Sequence, residues 1–239
     1  MKRRGPRLFG DASWTLDKVW DRNTGRYFRP WLPPEWVDAQ RRMTLRAMEE
    51  ARKLQPNETT PAAAPPLAVT AIVDTGVLSS HPMIKGTVVD SIDYTGEGTE
   101  DVNGHGTIVT LHYIASTQIL SPDVRPPILN VKVMDRLGNC MDEWIANGIR
   151  WSADKGARVI NLAVGYDTEG CKPDHAILCE AIEYAGKKNA MVIVASEARC
   201  PAECSGVVVA GGMLFNGQMI RSDVAPTLVV AGQCYVVPL

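Results

Sequence analysis

Two stretches of the chain hold residue types that can do acid–base chemistry together. Asp74 closes the apolar run A-I-V-D-T-G-V, and His105 lies further along in D-V-N-G-H-G-T-I-V-T. A buried carboxylate at a strand end can hold an imidazole in one tautomer and stabilise its charged form. Taken alone, an Asp before Thr-Gly is equally a plain turn. The histidine is bracketed by Gly104 and Gly106, which let the backbone approach a neighbour closely. It also stands at the expected start of a helix, where the positive dipole end favours the neutral imidazole that a general base requires. The plainer alternative is a structural histidine with satisfied ring nitrogens. His112 follows on the same expected helix. Its spacing from His105 is not i, i+4 and no third ligand accompanies it, so no metal site is expected there.

These residues need elements to position them. Leu67–Val73 reads as a buried strand, Gly106–Ser116 as a helix, and Ile128–Val133 as a second strand. Asp142–Lys155 carries helical periodicity through Trp144, Ile145, Ile149 and Trp151. Arg158–Val164 is a third strand, Asp174–Lys187 a further helix, Ala190–Ala195 a fourth strand and Gly206–Ala210 a fifth. Strands apolar throughout, separated by amphipathic helices, predict an α/β fold with a mostly parallel sheet and helices on both faces. In such sheets the site lies beyond the carboxyl ends of the strands. That rule points to Asp74, the loop after Val133, Gly165 and the segment after Ala195.

V-D-T-G-V followed by N-G-H-G-T resembles the Asp and His boxes of the subtilisin family (subtilases, peptidase S8). I-L-N-V-K-V-M-D is similar to a family strand that often reads V-x-V-L-K-V-L. R-V-I-N-L-A-V-G resembles V-I-N-M-S-L-G, whose end supplies backbone contacts to extended substrate. G-V-V-V-A-G-G resembles V-I-A-V-G-A, and S-D-V-A-P-T-L-V-V-A-G resembles S-S-x-G-P-x-L-D-V-x-A-P-G. The similarity runs from about Leu67 to the C-terminus, in family order. It implies a subtilisin-like three-layer fold, incomplete at the C-terminus, and a serine endopeptidase ancestry. By resemblance Asp74 is the triad acid, His105 the base, and Ala163, Val164 and Gly165 the strand that binds peptide. A cofactor is not implied. Calcium sites occur in the family, and no acidic cluster of this chain is matched to one.

The departures are chemical. The family nucleophile sits in G-T-S-M-A-x-P at the head of a helix, and none of these 239 residues shows that box. Ser222 and Cys234 are not substitutes by context. Where the family places an oxyanion asparagine after A-A-G or S-A-G, the chain reads V-A-S-E-A-R-C, so Ser196, Glu197, Ala198 or Arg199 occupies the region. Loss of one such donor typically costs about 10²–10³ in turnover. The substrate box reads A-V-G where the family prefers S-x-G, a change that backbone strand addition survives. The expectation is a protease-like domain that is inactive as this chain, a pseudoenzyme or peptide-binding module. One alternative is an active endopeptidase whose serine segment comes from another chain. A remote one is an aspartic protease built on Asp74, since D-T-G after apolar residues marks those enzymes too. They need two such carboxylates, and the strand–helix alternation argues against them.

Outside this domain, residues 1–54 form a tryptophan-rich extension with Trp14, Trp20, Trp31 and Trp36. Its start is irregular, and residues 35–54 have helical periodicity. Such an aromatic load predicts docking, onto the chain's own main domain or onto a protein partner. Residues 55–66 are a proline-rich linker, and 67–239 the main domain. The chain is 45% hydrophobic with net charge -2, enough for one sizeable core and no pointer to nucleic acid or anionic membrane. No apolar run spans a bilayer and no apolar stretch follows the basic start, so a cytoplasmic protein is expected. The six cysteines are compatible with that placement, a disulfide framework being expected only if the chain is exported by another route, and C-P-A-E-C at Cys200–Cys204 is expected to hold free thiols or form a local loop rather than a zinc half-site.

Overall fold

Near the start of the chain, β1 (Trp20–Asp21) and β2 (Arg26–Tyr27) pair antiparallel with each other, a short exception to the irregular reading of residues 1–33. The computed structural model describes residues 20–21, 26–27, 67–120, 124–165, 175–196, 198–213, 224 and 227–231. The expected helix over 35–54 and the linker over 55–66 lie outside the described residues.

The valine- and isoleucine-rich runs of the main domain become one seven-stranded parallel sheet. Its strands are β3 (Thr70–Asp74), β4 (Val88–Asp93), β5 (Ile128–Lys132), β6 (Val159–Leu162), β7 (Met191–Ala195), β8 (Val207–Met213) and β9 (Leu228–Ala231). The order across the sheet is β4-β5-β3-β6-β7-β8-β9. Parallel neighbours need crossovers, and α1 (His105–Leu120), α2 (Asp142–Asp154) and α3 (Ala176–Lys187) supply three of them.

The α/β fold with both faces covered is as expected. All five residues of the central β3 are buried. Ala71 and Val73 join Leu129, Val131, Ile160 and Leu162 beneath Ile145 and Ile149 of α2 and Leu178 and Ile182 of α3. Ile72 and Ile128 point the other way and pack on Leu111 and Ile114 of α1. Each fully buried Leu or Ile contributes about 1.5–3 kcal/mol, so this two-sided burial fixes the strand register.

Two strands had no sequence expectation of their own. β4, V-V-D-S-I-D, is an edge strand with a register shift between Val88 and Asp90 and mostly half-buried residues, so it lacks a continuous apolar run. β9 is four residues long and, among the described residues, pairs with β8 alone.

Coverage differs along the α1 face. The register Ile72↔Asn161↔Ile193↔Val208 puts Asn161, Ile193 and Val208 on that face, with Ala195 and Ala210 further along it. All five are half-buried, whereas Ile72 and Ile128 are closed over by α1.

Candidate active site

Asp74 ends β3 at the carboxyl edge of the sheet, and His105 opens α1. The structure brings them together. His105 Nδ1 lies 2.7 Å from Asp74 Oδ1 and 2.9 Å from Oδ2. The Asp74 side chain is 1% exposed and that of His105 18%. A carboxylate only accepts, so Nδ1 carries the proton and Nε2 is left as the atom that can take one. In this arrangement a buried carboxylate orients an imidazole and leaves one ring nitrogen able to accept a proton.

Local chemistry explains the approach. A Cβ at Gly106 would lie 2.2 Å from the Gly76 carbonyl oxygen and 3.1 Å from Asp74 Oδ1, so only glycine lets α1 reach the β3 end. Gly104 serves differently, by adopting φ +101° ahead of the helix. Asp101 caps the first turn. Its Oδ1 accepts from the amides of Asn103 and Gly104 at 3.0 and 2.8 Å, and its Oδ2 from the Thr107 amide and hydroxyl at 2.8 and 2.6 Å.

Burial pulls the His105 pKa down. The charge of Asp74, its hydrogen bond to the ring, and the charge of Asp101 outweigh that, and the pKa stands above its ordinary value. This corrects the expectation from the helix dipole. A carboxylate in direct contact acts more strongly than partial charges at a helix end.

Behind the pair, Lys132 is fully buried. Its Nζ donates to the carbonyls of Thr75 at 2.7 Å and Met134 at 2.9 Å, and lies 3.7 Å from Glu97 Oε2. Thr75, Asp101 and Lys132 stand inside the sequence motifs without having been singled out. Two signals mark Lys132 and Asp101, a lone lysine in the apolar strand I-L-N-V-K-V and an acidic residue one helical turn ahead of His105, while nothing of the kind marks Thr75.

The other expected site residues gather at the same carboxyl edge, beyond β6 and β7. Ala163, Val164 and Gly165 follow β6, with Val164 and Gly165 buried and Ala163 half-buried. A Cβ at Gly165 would lie 2.2 Å from the Ala198 Cβ and 2.9 Å from the Cys200 carbonyl oxygen, so the strand end packs tightly on the segment after β7. Ser196 is fully buried, its amide donating to Ala210 and its carbonyl accepting from Val224. Among the described residues its hydroxyl has no hydrogen-bond partner. Ala198 is buried and precedes a single helical turn, Arg199–Ala202, where Arg199 is half-buried. Glu197, Ser222 and Cys234 lie outside the described residues. His112 Nδ1 donates back to the Ile108 carbonyl of its own helix at 2.9 Å. Among the described residues no group of three or more His, Cys, Asp or Glu could hold a metal ion, and no helix is long and apolar enough to cross a membrane.

One expectation is corrected here. Cys204 is not a thiol but forms a disulfide with Cys179 of α3, and Cys200 is disulfide-bonded as well. The segment after β7 folds back over the first turns of α3, which brings positions distant in sequence together.

With this geometry in place, comparison with known proteins is informative. The model of the Subtilase family matches residues 68–223. Thermitase of Thermoactinomyces vulgaris is 38% identical over 132 residues, covering 53% of this chain and 46% of thermitase. The thermophilic serine proteinase of Bacillus sp. (strain AK1) is 34% identical over 134 residues, covering 53% of this chain and 32% of that protein. The crystal structure of a lanthipeptide protease superposes with TM-score 0.53 at 22% identity, over 64% of this chain and 50% of that one, a likeness of fold. The chain thus spans less than half the length of these two relatives.

Proposed function

The chain belongs to the subtilase family, and from that premise we propose that it is a serine-endopeptidase-like domain whose residues 1–239 hold the acid–base pair and a peptide cleft but do not complete hydrolysis by themselves. The observation that carries this reading is the Asp74–His105 contact of 2.7 Å, formed without any serine in the family's nucleophile context. In the triad mechanism Nε2 of the imidazole takes the proton of a serine hydroxyl as that oxygen attacks the peptide carbonyl, while the carboxylate stabilises the imidazolium. The imidazolium then returns the proton to the leaving amine. Asp74 and His105 are equipped for both steps. The attacking oxygen and the asparagine donor for the oxyanion have no counterpart among the site residues, and Ser196 is too deeply buried to take either part. An extended peptide would still pair with the backbone of Ala163–Gly165. The tryptophan-rich residues 1–54 are a candidate surface for a protein partner.

A second reading, a serine segment supplied by another stretch of polypeptide, is favoured by the sheet. Asn161, Ile193, Ala195, Val208 and Ala210 share the α1 face and are only half-buried. The family carries its serine at the head of a helix, and a helix laid on this face would cover them. Disulfides persist in oxidising compartments, so the bridge at Cys179–Cys204 favours export over the cytoplasmic placement expected from sequence.

A fluorophosphonate probe tests both readings. The purified 239-residue chain is expected to remain unlabelled, and covalent labelling would overturn the first reading. Labelling that appears only on adding a polypeptide with a G-T-S-M-A-x-P segment establishes the second.

A further inference from the structure

Thr75 lies fully buried between the strand that carries the acid and the helix that carries the base, and all its polar atoms are used at that junction. Its amide donates to Asp74 Oδ1 at 2.6 Å, and its carbonyl accepts from Lys132 Nζ at 2.7 Å. Its hydroxyl donates to Asp101 Oδ1 at 2.9 Å and accepts from the Gly106 amide at 2.9 Å. Gly106 directly follows His105, and Asp101 holds the amides of Gly104 and Thr107 on either side of it.

We propose that the Thr75 hydroxyl is a positioning group, which ties the first turn of α1 to the end of β3 and thereby sets the Asp74–His105 hydrogen bond. The inference rests on the acid–base reading of that pair and extends it to a residue that touches neither substrate nor reacting atom. Tight packing at Gly106 makes the coupling stiff. With the Gly76 carbonyl directly against it, a small displacement of the helix start passes to His105. Hydrogen bonds weaken steeply as their angle and length depart from the optimum, so the dyad is sensitive to such a displacement. Removing the hydroxyl also leaves the buried Gly106 amide without an acceptor, which favours relaxation of the turn.

The test is a pH titration of His105 by nuclear magnetic resonance on the full 239-residue chain, with histidine nitrogens labelled. The variants are Thr75→Val, Thr75→Ala and Thr75→Ser. Val and Ala are expected to lose the downfield Nδ1 proton signal of a carboxylate-bound imidazole and to lower the pKa of His105 towards what burial alone would give. Ser keeps the hydroxyl and is expected to restore both readouts. If Val and Ala lower thermal stability yet leave both at their wild-type values, Thr75 is structural only and the proposal falls. If the unaltered chain itself shows an ordinary His105 pKa and no downfield proton, the acid–base reading fails first, before any variant is compared.

Discussion

At the β3–α1 end of the sheet's carboxyl edge, Asp74, Thr75, Asp101 and Lys132 each make two or more hydrogen bonds. At the β6–β7 end, the contacts of Gly165, Ser196 and Ala198 are backbone hydrogen bonds and close packing of small groups, and the Ser196 hydroxyl has no partner. The first end is organised to hold a proton-transfer pair in place before anything binds. The second, among the described residues, is built from backbone groups and small side chains. The two ends are therefore separable in this fold, because each rests on its own strands and loops. Functional sites need such preorganised support to keep their side chains in one geometry.

The sharpest way to break this comparison is to remove the buried cation under the first end. Lys132→Met leaves the Thr75 and Met134 carbonyls buried without donors, and the expected loss is about 4 kcal/mol in urea unfolding. Because one of those carbonyls belongs to Thr75, the His105 resonances are expected to move too. A loss under about 1 kcal/mol with unmoved resonances would mean that the network under Asp74 is not what holds it.

The second end should respond differently. Replacing Cys179 and Cys204 together by alanine opens a loop with a sequence separation of 25 residues, for which chain entropy predicts about 3.5 kcal/mol. The His105 resonances are expected to stay where they are. Movement of those resonances would show that the two ends are mechanically one.

The fold was legible because both-face burial leaves an unambiguous pattern. β3, β5, β6, β7 and β8 stand within a few residues of the runs read from sequence, as do α1, α2 and α3. β4 escaped because an edge strand with Asp90, Ser91 and Asp93 carries no apolar run. The dyad was legible through its glycines and the order of its motifs. The direction of the His105 pKa was not, since it depends on a contact between residues far apart in sequence. The Cys179–Cys204 bridge was hidden for the same reason, as cysteine spacing alone does not give pairing. The hub at Thr75 was the least visible, because a threonine after a strand-end Asp is also what an ordinary turn contains.

The smallest expected effect is a difference in pH response between two histidines. His105 has a folded pKa above the ordinary value of about 6.5. The stability it contributes is thus fully present below about pH 6.5 and is lost as pH rises through its elevated pKa. His81 is buried and its pKa is lowered by that burial. Its folded form resists the proton, so it withdraws stability as pH falls below about 6.5. Asp93 and Asp135, whose hydrogen bonds and the Lys132 charge hold them below the usual carboxylate range against the opposing effect of burial, act only at lower pH. Unfolding free energies between about pH 5 and 9 therefore separate the histidines, with a slope of at most about 1.4 kcal/mol per pH unit for each proton exchanged. The unaltered chain should lose stability on the alkaline side of 6.5, and His105→Gln should flatten that limb. His81→Gln should keep the alkaline limb and raise the acidic one. A His105→Gln chain that keeps the full alkaline slope would mean that Asp74 does not hold the imidazole in solution, and the contrast between the two ends of the sheet's carboxyl edge would go with it.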